Sequence, residues 1–135
     1  MQELLNRLTT SDILRLLKED LREAICAVKS YASLVQAGDA MYPGLDKSTL
    51  KSIANVALTH ALLLASQIDV LGGDASDILQ SDCSCDGKPG TVQRVLTYET
   101  AAADRYRQRA SQCAQLELHS VAANLTSMAA SAQPT

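Results

Sequence analysis

His60 and Glu99 are the residues of this chain best suited by type and spacing to metal or acid–base chemistry. Each falls on the apolar stripe of a helical pattern, where an imidazole and a carboxylate could share a proton or a divalent ion. Further ligands are scarce. The 135 residues hold five Glu (Glu3, Glu19, Glu23, Glu99, Glu117) and two His (His60, His119). No Gly-rich phosphate loop, Ser-His-Asp set or pair of catalytic carboxylates can be assembled on one face. The second candidate is Cys83-Ser84-Cys85, flanked by Asp82 and Asp86. Two thiolates can grip a soft metal, but no further thiol pair or His lies near them in sequence, so unligated thiols are expected. Cys26 and Cys113 fall inside helical patterns and are expected to pack as small apolar groups. All four cysteines are read as free thiols in a reducing compartment.

The elements that position these residues are helices. Ala and Leu supply 40 of the 135 residues, with no Trp, no Phe and 3% aromatics, which disfavours a pleated sheet. The formal net charge of −3 provides no cationic field for nucleic acid or an anionic membrane. The longest uninterrupted apolar stretch, Ala61 to Ala65, is far short of a membrane span. No basic region followed by an apolar block and a cleavage site marks the N-terminus, so a cytoplasmic location is expected.

The whole chain, 1–135, reads as one all-α domain. Thr10-Ser11-Asp12 offers caps for a first helix at about 11–38, with Ile13, Leu17, Leu21, Ala24, Val28, Tyr31 and Val35 on one stripe. A second, at about 46–71, carries Leu50, Ile53, Ala57, His60, Leu64, Ile68 and Leu71 and closes at Gly72-Gly73. Residues 73–90 read as a structureless connection, as long as a crossover between two parallel helices requires. A third helix, at about 91–112, carries Val92, Val95, Glu99, Ala102, Tyr106 and Cys113, and a fourth, at about 116–132, carries Leu118, Val121, Leu125, Met128 and Ala132. The boundary between them is placed near Ser111 to Gln115, where neither Gly nor Pro marks it. Lys18, Glu19, Asp20 and Arg22 are read as a solvated flank, and Arg105, Arg107 and Arg109 as the solvated face of the third helix. His119 is expected at the surface or at a helix start.

An internal repeat links the halves. Residues 24–31 align with 99–106 at an offset of 75, with Tyr31 and Tyr106 in register, and the separations 24 to 57 and 99 to 132 are both 33. On these residues, together with His60 followed by Leu71-Gly72-Gly73, the chain resembles the ferritin-like superfamily, closest to its bacterioferritin branch. The resemblance implies a four-helix bundle with a long crossover loop between helices 2 and 3. Its six di-iron ligand positions fall here on Ala24, Ala57, His60, Glu99, Ala132 and Thr135, so only His60 and Glu99 retain donor groups of the implied kind. Its haem-ligating Met is Leu58. Glu23 lies one residue from Ala24, but one step turns a side chain about 100° off the stripe.

The resemblance therefore implies a bundle whose ferroxidase site is lost, with no cofactor and no haem, acting as a structural or interacting protein and forming a homodimer or larger homo-oligomer. The alternative is a bacterioferritin-related iron-binding or storage subunit completed by an intact partner subunit. No nucleic acid, membrane or enzymatic role is expected. His60 and Glu99 are expected to form a satisfied polar pair rather than hold a single metal ion, with Glu99 either keeping its proton or accepting hydrogen bonds from His60, Tyr31 or Tyr106.

Overall fold

The computed structural model describes residues 8–37, 47–80 and 92–132, and among them it is all-α, with five helices and no strand. They are α1 (Thr10–Ala37), α2 (Lys47–Val70), α3 (Ser76–Gln80), α4 (Val92–Gln115) and α5 (His119–Ala132).

Thr9 caps α1, one residue before the expected capping run. Its hydroxyl accepts from the Asp12 amide at 3.1 Å while the Asp12 carboxylate accepts from the Thr9 amide at 2.9 Å, a reciprocal capping box. That backbone hydrogen bond holds the Asp12 carboxyl below its ordinary range. At the end of α2, Gly72 takes a positive φ of 86°. The Gly72 amide bonds the Asp69 carbonyl and the Gly73 amide bonds that of Ile68, both at 2.9 Å, which satisfies carbonyls the helix leaves open. Gly73 also lies so close to α1 that an added Cβ would meet Leu14 Cδ2 at 2.8 Å.

Two expectations are corrected in the connections. The stretch after Gly73 is not wholly structureless: Asp74 Oδ1 accepts from the amide and hydroxyl of Ser76 at 2.9 and 2.6 Å, starting the short helix α3, which buries Ile78. Residues 81–91 of the expected crossover lie outside the described residues. The expected break at Ser111 to Gln115 lies instead at Leu116–Leu118, because α4 continues to Gln115. Glu117 supplies the left-handed residue at φ 61°, with its amide bonded to Ala114 and that of Leu118 to Cys113. The hydrogen-bond pattern repeats that of Gly72-Gly73 with a carboxylate side chain where Gly is usual.

The inward stripes form one core. Ile13, Leu17, Leu21, Leu64, Ile68, Tyr106, Cys113, Leu125 and Met128 are almost wholly buried in it. A smaller cluster joins Ala27 and Tyr31 of α1 to Ala57 of α2. α1 packs along α2 and α4 along α5, and the two hairpins meet through α1 with α4 and α2 with α5. The pairs Asp20–Arg109, Glu23–Arg105 and Tyr31–Glu99 make α1 and α4 antiparallel. Gly73 beside Leu14 and Ala57 beside Tyr31 make α1 and α2 antiparallel as well. α2 and α4 therefore run parallel.

Candidate functional site

The α1–α4 seam carries Glu99 inward from α4 toward Tyr31 of α1, whose hydroxyl donates to Glu99 Oε1 at 2.6 Å. Burial pushes the Glu99 carboxyl above its ordinary range, against the opposing pull of Tyr31 and Arg105. Burial, with Glu99 beside it, also drives the Tyr31 phenol far upward, so Tyr31 remains a donor. Tyr98 stands edge-on to Tyr31 with ring centres 6.2 Å apart. Of the three partners expected for Glu99, Tyr31 is the one that bonds it.

His60 is also buried but turns elsewhere. Its Nε2 lies 2.7 Å from Ser131 Oγ on α5, and its ring meets Tyr106 edge-on at 5.4 Å. Ser131 Oγ donates to the Met128 carbonyl at 3.1 Å. A hydroxyl has one proton, so this arrangement suits an imidazole that donates through Nε2–H. Burial lowers the His60 pKa, favouring the neutral ring. The expected His60–Glu99 polar pair is thus two separate pairs.

Beside His60 a groove of about 430 Å³ opens between α2 and α5, bordered by Asn55, Thr59, Leu63 and Asn124. The Ser131 hydroxyl and His60 imidazole could form a nucleophile and base only if a third group oriented the ring. Among the described residues no carboxylate bonds His60.

Among the described residues no group of three or more His, Cys, Asp or Glu converges to hold a metal. Ala24 and Ala57 are 1% and 4% exposed, and both belong to the core. Ala132 ends α5 and Thr135 lies outside the described residues. Cys113 packs as a small apolar side chain, with burial raising its thiol pKa. Cys26 departs from expectation: it is disulfide-bonded. Cys83 and Cys85 lie outside the described residues. Disulfides persist mainly in oxidising compartments.

The solvated reading of Asp20 and Arg109 is overturned. Arg109 Nε and NH2 donate to the two Asp20 carboxylate oxygens at 2.7 and 3.0 Å, and NH1 donates to Gln112 Oε1 at 2.7 Å. Their side chains are 7% and 2% exposed. Burial alone would lower the Arg109 pKa, but the hydrogen bonds and charge of Asp20 outweigh it and hold the value above the ordinary one. Arg105 is also partly buried, 3.2 Å from Glu23 and with its guanidinium 5.3 Å from the centre of the Tyr98 ring. The Tyr98 hydroxyl and Arg105 Nε are buried without a hydrogen-bond partner. Arg107, Glu19 and Arg22 remain exposed, as expected. The missed signal was a stricter period: Ile13, Leu17, Asp20, Ala24, Ala27 and Tyr31 step 4, 3, 4, 3, 4, placing Asp20 on the inward seam.

The outer face of α2 is unusually apolar. Leu58 is 46% exposed and Leu62 60%. Lys51–Val70 is long and apolar enough to cross a membrane, with mean hydropathy 1.4 and a third of its most apolar window buried. The sequence criterion of an unbroken apolar run missed it because Thr59, His60, Ser66 and Gln67 interrupt the stretch. No family model, curated protein or solved structure matches the chain.

Proposed function

We propose that this chain is a non-catalytic helical bundle of ferritin-like topology that acts through its surface, as a structural or protein-interaction module and as a homo-oligomer. The helix directions support the topology: α1 lies antiparallel to α2 and to α4, so the chain must cross over between parallel α2 and α4. A two-iron centre does not fit the residues present. Core methyl groups of Ala24 and Ala57 stand where that resemblance requires carboxylates, Glu99 is bonded by Tyr31, and His60 bonds Ser131. Leu58 has no atom to ligate haem.

The observation that carries the reading is the outward placement of Leu58 and Leu62. Apolar side chains aligned on an exposed face gain most when a partner removes them from water. Leu62→Ser tests this by thermal unfolding of dilute protein. A face reserved for a partner leaves the midpoint within about 2 °C of the parent, since surface substitutions usually change stability by less than about 0.5 kcal/mol. A loss above about 8 °C assigns Leu62 to the chain's own core and refutes the proposal. Aerobic addition of Fe(II) should give no oxidation above the buffer rate. A protein-dependent rate abolished by Glu99→Gln would refute the non-catalytic assignment.

A further inference from the structure

We propose that the groove between α2 and α5 binds a neutral small molecule, about as long as the groove, that presents hydroxyl or N–H donors, the chemistry shared by nucleosides and disaccharides. The site stands apart from Leu58 and Leu62 and does not rest on a second copy of the chain.

The polarity of the ligand follows from how the wall has already spent its protons. Thr59 Oγ1 donates to the Asn55 carbonyl at 2.9 Å, and Ser131 Oγ donates to the Met128 carbonyl at 3.1 Å. His60 donates through Nε2 to Ser131 at 2.7 Å, which leaves Nδ1 a lone pair and no proton. All three side chains border the groove, and all three can only accept from a ligand. Among the described residues no donor reaches His60 Nδ1, although the residue is only 4% exposed. Polar groups so enclosed are ordinarily paired, and a donor entering from the groove would complete the set. Asn55 and Asn124 border the groove from opposite helices, and among the described residues their carboxamides have no partner. Each offers an N–H and a carbonyl side by side, which suits a vicinal diol or an amide edge.

Charge and size narrow the class. Among the described residues that border the groove there is no Lys, Arg, Asp or Glu and no aromatic ring beyond His60. A phosphate or carboxylate would lose hydration with no cation to replace it. An ammonium group would find neither a carboxylate nor the face of a Phe, Tyr or Trp. Val56, Leu63 and Met128 supply the apolar part of the wall, against which the C–H face of a sugar or the face of a base can lie. At 1.5 Å per residue, Asn55 to Leu63 spans about 12 Å of α2 and Asn124 to Ser131 about 10.5 Å of α5. That length holds two joined rings but only about three residues of extended peptide. The volume of about 430 Å³ falls in the range of small-molecule sites.

Titration of the full chain with adenosine, uridine, maltose and trehalose, followed by amide NMR, tests the site and separates the two sources. A nucleoside or a disaccharide should shift resonances of residues 55–63 and 124–131 with a Kd within about tenfold of 0.1 mM, as about twenty non-hydrogen atoms of ordinary ligand efficiency give. Shifts from the nucleosides alone assign a base and ribose to the groove, and shifts from the disaccharides alone assign a sugar pair. For the compound that binds, Thr59→Val and Asn124→Leu should each weaken binding about fivefold or more, with unchanged circular dichroism. Its phosphorylated form should bind no more tightly than the neutral one. The inference is overturned if none of the four compounds shifts the groove at about 10 mM, or if the shifts centre elsewhere. Parent affinity in either variant, or a phosphorylated form that binds more than about tenfold tighter, overturns it as well.

Discussion

Removing the Asp20 carboxylate should be among the most damaging single changes to this chain. The perturbation is Asp20→Ala, which deprives Arg109, whose side chain is 7% exposed in the parent, of the acceptor of its 2.7 and 3.0 Å hydrogen bonds. Gln112 can still accept from NH1, but it carries no charge to offset a desolvated cation. Breaking a buried pair from one side costs about 3–5 kcal/mol. Against a typical total stability of about 5–15 kcal/mol, the variant is left marginal. With a urea slope of about 2 kcal/mol/M, the midpoint should fall by about 2 M. Replacing both partners with apolar residues of similar size, Asp20→Leu with Arg109→Met, should recover most of the loss, because the double change removes the charges that need each other. Urea denaturation of the parent, Asp20→Leu, Arg109→Met and the double variant closes the cycle, with Asp20→Ala measured beside it. The reasoning is refuted if Asp20→Ala lies within about 1 kcal/mol of the parent, where surface pairs fall. It is refuted equally if the double variant is as unstable as the single ones.

Three further outcomes follow from the same geometry. Because burial raises the Glu99 carboxyl pKa, the folded chain holds a proton that the unfolded chain releases above the ordinary value of 4.5. The Glu99 contribution is therefore full below pH 4.5 and lost as pH rises through the raised folded value, so the urea midpoint of Glu99→Gln should gain on the parent from pH 4.5 toward neutrality. An advantage that shrinks over that range would contradict the account. Glu117→Gly should stabilise by up to about 1 kcal/mol, since Glu117 holds a φ of 61° that costs an L side chain roughly 1–2 kcal/mol and added chain entropy offsets part of the gain. A lower thermal midpoint would contradict it. Finally, alkylation under denaturing conditions without reductant, followed by peptide mapping, should label Cys113 and leave Cys26 unlabelled.

The long helices were legible because their apolar spacing is regular and Gly72-Gly73 marks an end that only a left-handed residue can make. The α4–α5 turn was misplaced because Glu117 performs that task without the usual residue type. α3 was missed because five residues capped by Asp74 give too short a window for periodicity. The candidate site was half legible. Glu99 and His60 were expected inward and are inward, since both sit on stripes with Ala and Tyr. Their partners were not legible, because hydrogen bonding across helices depends on axial register, and register set Tyr31 against Glu99 and Ser131 against His60. Asp20 and Arg109 read as solvated from their charge alone, while their position on the helix places them inward. Their 3.5-residue spacing placed them in the seam, where each makes the burial of the other tolerable.

The central claim is that the exposed leucines of α2 serve a second molecule rather than the chain's own core, and the concentration dependence of the thermal midpoint tests it most directly. Folding linked to association makes the midpoint rise with protein concentration. The parent midpoint should climb between about 1 and 100 μM. The Leu62→Ser midpoint should stay flat at the parent's dilute value. A parent midpoint that does not move with concentration, with Leu62→Ser several degrees below it throughout, would contradict the account.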